Sequence, residues 1–260
     1  LKVNGFDIEE LFTNQGWKRY FDMLNGPIYT NMVKEFWMKA KVFDKVSAKL
    51  EEEELIKEDP SLKGKSREEM GLSAFNETII KFVLAGLEIT ISRAHFAKLL
   101  DVKDQGKRIA DYKSEVYYRQ FIKKELYEDE KLAGKSKFIS NLIPRSGGTD
   151  TISWEHQHLL YFLKCGKKIN LVDLLFEYLC QVVRDSNYKN ITSLIYPRLL
   201  SELFFQTKLV KILKKAYPEL VEKERAQKID ASFLTRMVLK NKVVKPENPL
   251  QARFEDHYFL

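Results

Sequence analysis

The spacing of the apolar residues constrains the fold of this chain more than any other sequence feature. Most of them recur every three or four positions, the period of a helix that rests one face on a core. In the segment 29–55, one such stripe runs from Val33 and Phe36 to Val42, Val46 and Leu50. The same spacing predicts further helices at 111–128, 133–143, 153–164, 171–184, 197–207, 209–217 and 231–240.

One stretch departs from the helical period. Residues 75–83 are rich in β-branched and aromatic side chains, and in 87–91 apolar and polar residues alternate. Between them lies Gly86, which readily adopts the positive φ that a tight turn requires. These residues predict a β-hairpin near 75–91, followed by a helix that Thr90 or Ser92 caps. The predicted fold class is therefore mainly α (α+β): a helical domain of about eight to ten helices with one small β-hairpin.

The segment 144–150 is the clearest loop, since it combines proline, two glycines and small polar residues. It predicts a division between an N-terminal helical part, residues 1–143 with the hairpin, and an all-helical C-terminal part, residues 151–245. A single continuous domain is the alternative, because a chain of 260 residues suffices for one large domain or two small ones.

Charge and cysteine content narrow the class of protein. The 44 basic residues exceed the 37 acidic ones by 7, which favours anionic partners without amounting to a nucleic-acid signature. Cys165 and Cys180 lie in apolar-periodic segments and are predicted to be buried thiols. No apolar run reaches the ~18–20 residues of a membrane span. The expectation is an intracellular protein, nuclear or cytoplasmic, and a piece of a longer one because it begins at Leu1.

The residue types that carry catalysis or hold metals form no convincing pattern. His156 and His158 are two positions apart, so on a helix they point to different faces and cannot share one ion. No Gly-x-Ser-x-Gly elbow or phosphate-loop spacing occurs. The sequence therefore predicts a non-enzyme with no metal and no cofactor.

Two groups of residues are candidate binding sites. The glycines of the 144–150 loop predict an anion-binding loop, in which backbone N–H groups approach the ligand; its residues are Arg145, Ser146, Gly147, Gly148 and Thr149. Basic side chains on predicted helices are candidate nucleic-acid contacts, namely Lys113, Arg119, Lys123, Lys124, Lys208, Lys211 and Lys215. In the helix predicted at 209–217, Lys208, Lys211 and Lys215 are expected on one face, opposite the apolar residues Leu209, Ile212, Leu213 and Ala216.

Several blocks resemble a family found especially in legume retroelements, the plant transposon protein domain, some members of which are called envelope-like proteins of retrotransposons. The blocks are Gly16-Trp17 and the segments 33–37, 59–66, 69–72, 89–92, 97–100, 142–150, 168–171 and 196–204. The resemblance implies an origin in a mobile element and brings no catalytic residues. The sequence departs from an envelope glycoprotein, because it has only two cysteines and no fusion-peptide-like segment. A looser likeness links the hairpin-then-helix layout to the plant mobile domain.

Two functional hypotheses follow. The first is a non-enzymatic structural or protein-interaction domain of a plant retrotransposon-derived protein, with a protein partner or self-association through helical surfaces. The alternative is a nucleic-acid-binding module that uses the helices rich in Lys, Arg and Tyr.

Overall fold

The computed structural model of the protein describes residues 2–3, 6–112, 122, 154–186 and 195–223. In chain order its strands and α-helices are β1 (Lys2–Val3), β2 (Phe6–Asp7), α1 (Ile8–Gln15), α2 (Lys18–Met23), α3 (Thr30–Lys39), β3 (Lys41–Phe43), α4 (Lys45–Glu58), β4 (Ile79–Leu84), β5 (Leu87–Ile91), α5 (Arg93–Leu100), α6 (Trp154–Lys164), α7 (Leu171–Ser186), α8 (Pro197–Gln206) and α9 (Leu209–Leu213). Short 3-10 helices lie at Pro60–Leu62, Ile109–Tyr112 and Pro218–Val221. This mainly helical chain with a small β component confirms the predicted fold class.

The β-hairpin is confirmed, and its turn has the predicted chemistry. β4 and β5 pair antiparallel from Leu84↔Leu87 to Ile80↔Ile91. The two residues between them, Ala85 and Gly86, both have positive φ, 50° and 78°, as a two-residue turn that matches the twist of the strands requires. The first strand begins at Ile79, later than the predicted 75.

The predicted continuous helical stripe at 29–55 is wrong, because a strand interrupts it. The backbone is extended at Ala40, which ends α3, and β3 then pairs antiparallel with β4. Asp44 starts the next helix, since its carboxylate accepts hydrogen bonds from the backbone N–H groups of Val46 and Ser47. The sheet therefore has three strands in the order β3-β4-β5.

The buried core lies between one face of this sheet and the helices. Ile80, Phe82 and Leu84 of β4 point inward and are buried. The ring of Phe82 lies 5.1 Å from that of Phe36 on α3 and 6.0 Å from that of Phe204 on α8. Buried residues from both predicted parts of the chain belong to this cluster. The 144–150 loop itself lies outside the described residues.

The C-terminal helices begin where the sequence predicts them. α6, α7 and α8 match the predicted segments 153–164, 171–184 and 197–207 to within two residues at each end. The predicted helix 209–217 is shorter, because α9 ends at Leu213. The predicted helices 133–143 and 231–240, and most of 111–128, lie outside the described residues; the first two positions of 111–128 belong to the 3-10 helix Ile109–Tyr112.

Candidate functional site

The two neighbouring histidines are parts of a packed helix. His156 and His158 lie on α6, as predicted, and both are buried. Nδ1 of His158 lies 2.8 Å from the carbonyl oxygen of Trp154. Because a carbonyl only accepts, this nitrogen carries the ring proton and donates it one turn back. In the part of the chain that the structure describes, no three His, Cys, Asp or Glu side chains come together in a way that could hold a metal ion.

The two cysteines differ in their surroundings. Cys180 on α7 is buried, as predicted, and burial raises the pKa of its thiol to about 12. Cys165 is exposed, so the prediction that it is buried is wrong. It follows the last residue of α6, and at that point the apolar spacing no longer reports which side chains face the core.

The anion-binding loop predicted at Arg145, Ser146, Gly147, Gly148 and Thr149 lies outside the described residues. So do four of the candidate nucleic-acid contacts, Lys113, Arg119, Lys123 and Lys124. These assignments remain predictions.

The remaining three predicted contacts, Lys208, Lys211 and Lys215, are exposed on or beside α9. Their ammonium groups, and that of Lys214, form no ion pair with any described residue. The apolar side of this helix differs from the prediction, because its buried residues are Leu209, Val210 and Leu213. Ile212 is 59% exposed and Ala216 is also exposed, since the helix begins abruptly after Lys208, whose φ is 64°.

A charged network joins α5 to the start of α7. The guanidinium of Arg93 donates to both carboxylate oxygens of Asp104, at 2.8 and 2.7 Å, and to Oδ1 of Asp173 at 2.7 Å. Nε of Arg108 lies 2.8 Å from the same oxygen of Asp173. The side chain of Asp173 is 3% exposed. The hydrogen bonds from Arg93 hold the pKa of Asp104 below its usual value.

The polar contacts of this network continue into the backbone. The side-chain amide of Asn170 donates to Asp104 and accepts a hydrogen bond from the backbone N–H of Asp173. Asn170 thereby caps the N-terminus of α7. Gln15 on α1 accepts from the N–H of Ile169 and donates to the carbonyl of Lys167. These charged and amide groups are hydrogen-bonded to one another. The network therefore positions α5 and α7, and we do not treat it as a ligand-binding site.

The open edge of the sheet is a different kind of surface. Among the described residues β5 pairs only with β4, whereas the other edge strand, β3, packs against α7. Counted from the two-residue turn, Leu87, Ile89 and Ile91 exchange hydrogen bonds with β4. The N–H and C=O groups of Glu88 and Thr90 therefore point away from β4, and none of them bonds to another described backbone group.

A groove runs along this edge. It has a volume of about 260 Å³, several times the ~30 Å³ share of one water, so it accommodates side-chain atoms. One wall is β5 from Glu88 to Ile91 together with His95 of α5. The opposite wall consists of Leu203 and Phe204 of α8, Thr207, which directly follows α8, and Leu209 of α9.

His95 connects the groove to the start of α5. The backbone N–H of Ser92 donates to Nδ1 of His95, and the Ser92 hydroxyl lies 3.1 Å from the same nitrogen. This reciprocal capping box confirms the prediction that Ser92 or Thr90 caps the helix. Because Nδ1 accepts, the neutral ring carries its proton on Nε2, which leaves a donor on the residue that lines the groove.

The amino-acid sequence alone does not predict this groove. The alternating pattern of 87–91 identifies a strand, but nothing in it distinguishes an edge strand from a central one. Nor does the sequence predict the ion pair between Arg93 and Asp173, because the two residues meet only when α5 packs on α7.

Comparison of the chain with protein-family models, with curated proteins and with solved structures gives no match in any of the three. No helix within the described ranges is both long enough and apolar enough to cross a lipid bilayer.

Proposed function

We propose that this protein is a non-enzymatic protein-interaction domain that binds an extended peptide segment by adding it as a strand beside β5. The observation that carries the proposal is the orientation of Glu88 and Thr90. Their two N–H and two C=O groups point away from β4, belong to residues that line the groove, and lack a partner among the described backbone groups. An extended peptide presents the same alternation of donors and acceptors, so it satisfies all four groups at once.

The walls of the groove support a peptide occupant. Ile89 is partly exposed and offers apolar contact to one side chain of an added strand, whereas Ile91, Leu203, Phe204 and Leu209 are at most 6% exposed and delimit the groove from the core side. Thr90, His95 and Thr207 supply polar groups between them. A strand seated here would hide the open edge, which is otherwise a site of unselective pairing.

For the origin and the cellular compartment of the protein, the support comes from the sequence alone. The resemblance to the plant transposon protein domain supports a retrotransposon-derived protein, and the low cysteine content supports an intracellular one, nuclear or cytoplasmic. Neither feature bears on where a partner docks.

Nucleic-acid binding is the second candidate function. It is favoured by the exposed lysines Lys208, Lys211 and Lys215, none of which forms an ion pair with a described residue. Phosphates accept hydrogen bonds but do not donate them. They therefore match the lysines but not the donor-and-acceptor edge of β5.

The test uses a displayed library of random 12-residue peptides, selected on the wild-type protein. Each selected peptide is then titrated by fluorescence anisotropy against the Thr90→Pro and Thr90→Ala variants. Proline removes the outward N–H of Thr90 and leaves the β4–β5 hydrogen bonds intact, because that N–H takes no part in them. Alanine removes the side chain and retains the N–H.

Thr90→Pro is expected to weaken peptide binding about tenfold or more, the effect of one lost hydrogen bond and a blocked edge. Thr90→Ala is expected to change it less than about threefold, and both variants should keep the wild-type circular dichroism. Selected peptides that bind Thr90→Pro as tightly as wild type would overturn the proposal. So would a library that yields no binder.

A further inference from the structure

The lysines on and around α9 specify the kind of peptide that the groove accepts. Residues 203–218 contain four lysines and no acidic residue. All four, Lys208, Lys211, Lys214 and Lys215, are exposed, and no described residue forms an ion pair with any of them. This segment is therefore a concentrated positive charge whose lysines form no ion pair with a described residue.

The positive segment begins at the groove itself. Leu209 lines the groove wall opposite β5, and Lys208 precedes it directly. Along α9, from Leu209 to Leu213, the chain advances about 6 Å at the helical rise of ~1.5 Å per residue. That length corresponds to about two residues of an extended strand.

We infer that the segment bound beside β5 is acidic, with its carboxylates on the side that faces α9. This inference rests on the proposed function and adds the chemistry of the partner. The partner strand has β5 on one side and α8 with α9 on the other. None of the four lysines is among the described residues that line the groove, so they form a positive rim beside it. Carboxylates that reach this rim are attracted to it, whereas lysines or arginines there meet like charges.

The rest of the groove limits where those carboxylates lie. Among the described residues that line the groove, Glu88 is the only acidic one, and it belongs to β5. Acidic residues of the partner directly opposite Glu88 are disfavoured, because like charges on adjacent strands repel. The expected ligand therefore has apolar and polar residues alternating beside β5 and two or three acidic residues toward α9.

Two other occupants fit less well. A second copy of this chain would bring a second set of the same four lysines to a symmetric interface, where like surfaces meet. A nucleic acid would satisfy the lysines but leave the donors and acceptors of Glu88 and Thr90 without matched partners.

The test examines the peptides selected on the wild-type protein. We expect them to be enriched in Asp and Glu relative to the library. Replacement of those residues by Asn and Gln should weaken binding about fivefold to tenfold, a change that shrinks when the salt concentration is raised. The double variant Lys211→Glu/Lys215→Glu should lose about the same affinity for the unmodified acidic peptides.

The matched control is Lys57→Glu/Lys63→Glu, which changes the net charge equally. Both of its lysines are exposed on or after α4, and neither belongs to the residues that line the groove. This variant should bind the acidic peptides within about twofold of wild type. An equal loss in both double variants would mean that net charge alone attracts the peptides, and it would overturn the inference.

Three further outcomes separate the inference from the proposed function. Peptides that are sensitive to Thr90→Pro but neutral or basic in composition would overturn the acidic partner and leave strand addition standing. A dimer in light scattering that Thr90→Pro dissociates would make a second copy the occupant and also overturn it. Binding of a 20-nucleotide poly(dT) that depends on Lys211 and Lys215 but not on Thr90, with no peptide selected, would overturn both.

Discussion

Gly106 is the residue at which the loop after α5 passes closest to the segment that precedes α7. Lys107 donates its N–H to the carbonyl of Lys168 and accepts from the N–H of Asn170, which pairs the two segments like adjacent parallel strands. A Cβ at position 106 would lie 2.9 Å from the backbone nitrogen of Asn170. The φ of Gly106 is 122°, a conformation that side chains disfavour. Only glycine therefore fits at this crossing.

The Gly106→Ala variant is expected to lower the free energy of unfolding by about 3 kcal/mol. This figure combines ~1–2 kcal/mol of backbone strain with the overlap against a backbone that cannot move aside. Gly64→Ala is the matched control, since Gly64 also has positive φ, 89°, but no atom lies within 4 Å of the added Cβ. It should cost about 1 kcal/mol in urea unfolding. Equal losses in the two variants would show that the close approach at Gly106 does not constrain the fold.

At the scale of secondary-structure elements, one arginine links α5 to α7 by charge, beside the buried contact between the rings of Phe96 and Phe176. Arg93 begins α5, and its guanidinium reaches Asp104 in the following loop and Asp173 on α7. Its hydrogen bonds favour the ionised form of Asp104 and so lower the pKa of that carboxyl. A carboxyl with a lower pKa when folded binds protons less readily in the native than in the unfolded state. Its contribution to stability is present above the unfolded pKa and is lost as the pH falls through the lowered pKa of the folded state.

We expect Asp104→Asn to lower the free energy of unfolding by about 1 kcal/mol at pH 7, because a charge-assisted pair becomes a neutral one. The difference in unfolding free energy between wild type and the variant should begin to narrow below about pH 5, shrink through the unfolded Asp pKa of about 3.9, and close once the pH is below the lowered pKa of the folded state. Urea unfolding of both proteins at several pH values measures this difference in the free energy of unfolding. Asp101→Asn serves as the control, since the Asp101 side chain is 80% exposed and lies 3.6 Å from Arg19. A gap for Asp104→Asn that stays constant with pH would contradict this account.

The elements differ in how far the sequence predicts them. α5 and the hairpin are predictable, because Ser92 and Gly86 are local signals that act within a few residues. β3 is not, because Val42 and Val46 are spaced four apart and continue the helical stripe of α3. Its extended state depends on pairing with Ile80, a distant contact that local spacing does not reveal.

The candidate site is less predictable from the sequence than the hairpin and more predictable than β3. Once the hairpin is placed, counting from Gly86 shows that Glu88 and Thr90 turn away from β4. Whether they then meet a third strand depends on where β3 pairs, and it pairs on the far side of β4. The wall formed by Phe204 and Leu209 is likewise a product of tertiary packing. The position of the groove therefore follows from the fold and not from any motif.

At the scale of the whole molecule, contacts between distant parts of the chain hold the sheet and the C-terminal helices together. Phe36, Phe82 and Phe204 bring α3, β4 and α8 into one aromatic cluster. The hydroxyl of Ser201, which is fully buried, accepts from the backbone N–H of Tyr29 at 3.0 Å. The groove beside β5 has walls from both groups of elements, so its shape depends on their joint folding.

Phe204→Ala is expected to destabilise the sheet as much as α8, because its ring is part of a core that both share. Removing a buried phenylalanine costs about 3–5 kcal/mol. Native-state hydrogen exchange measured by NMR should show the opening free energies of the Phe82 and Ile89 amides falling by the same amount as those in α8. Phe205→Ala is the matched control, since the neighbouring ring is 57% exposed, and its cost should stay below about 1 kcal/mol. Loss of protection in α8 alone would mean that the sheet and the C-terminal helices unfold separately, and the groove between them would then lack a rigid wall.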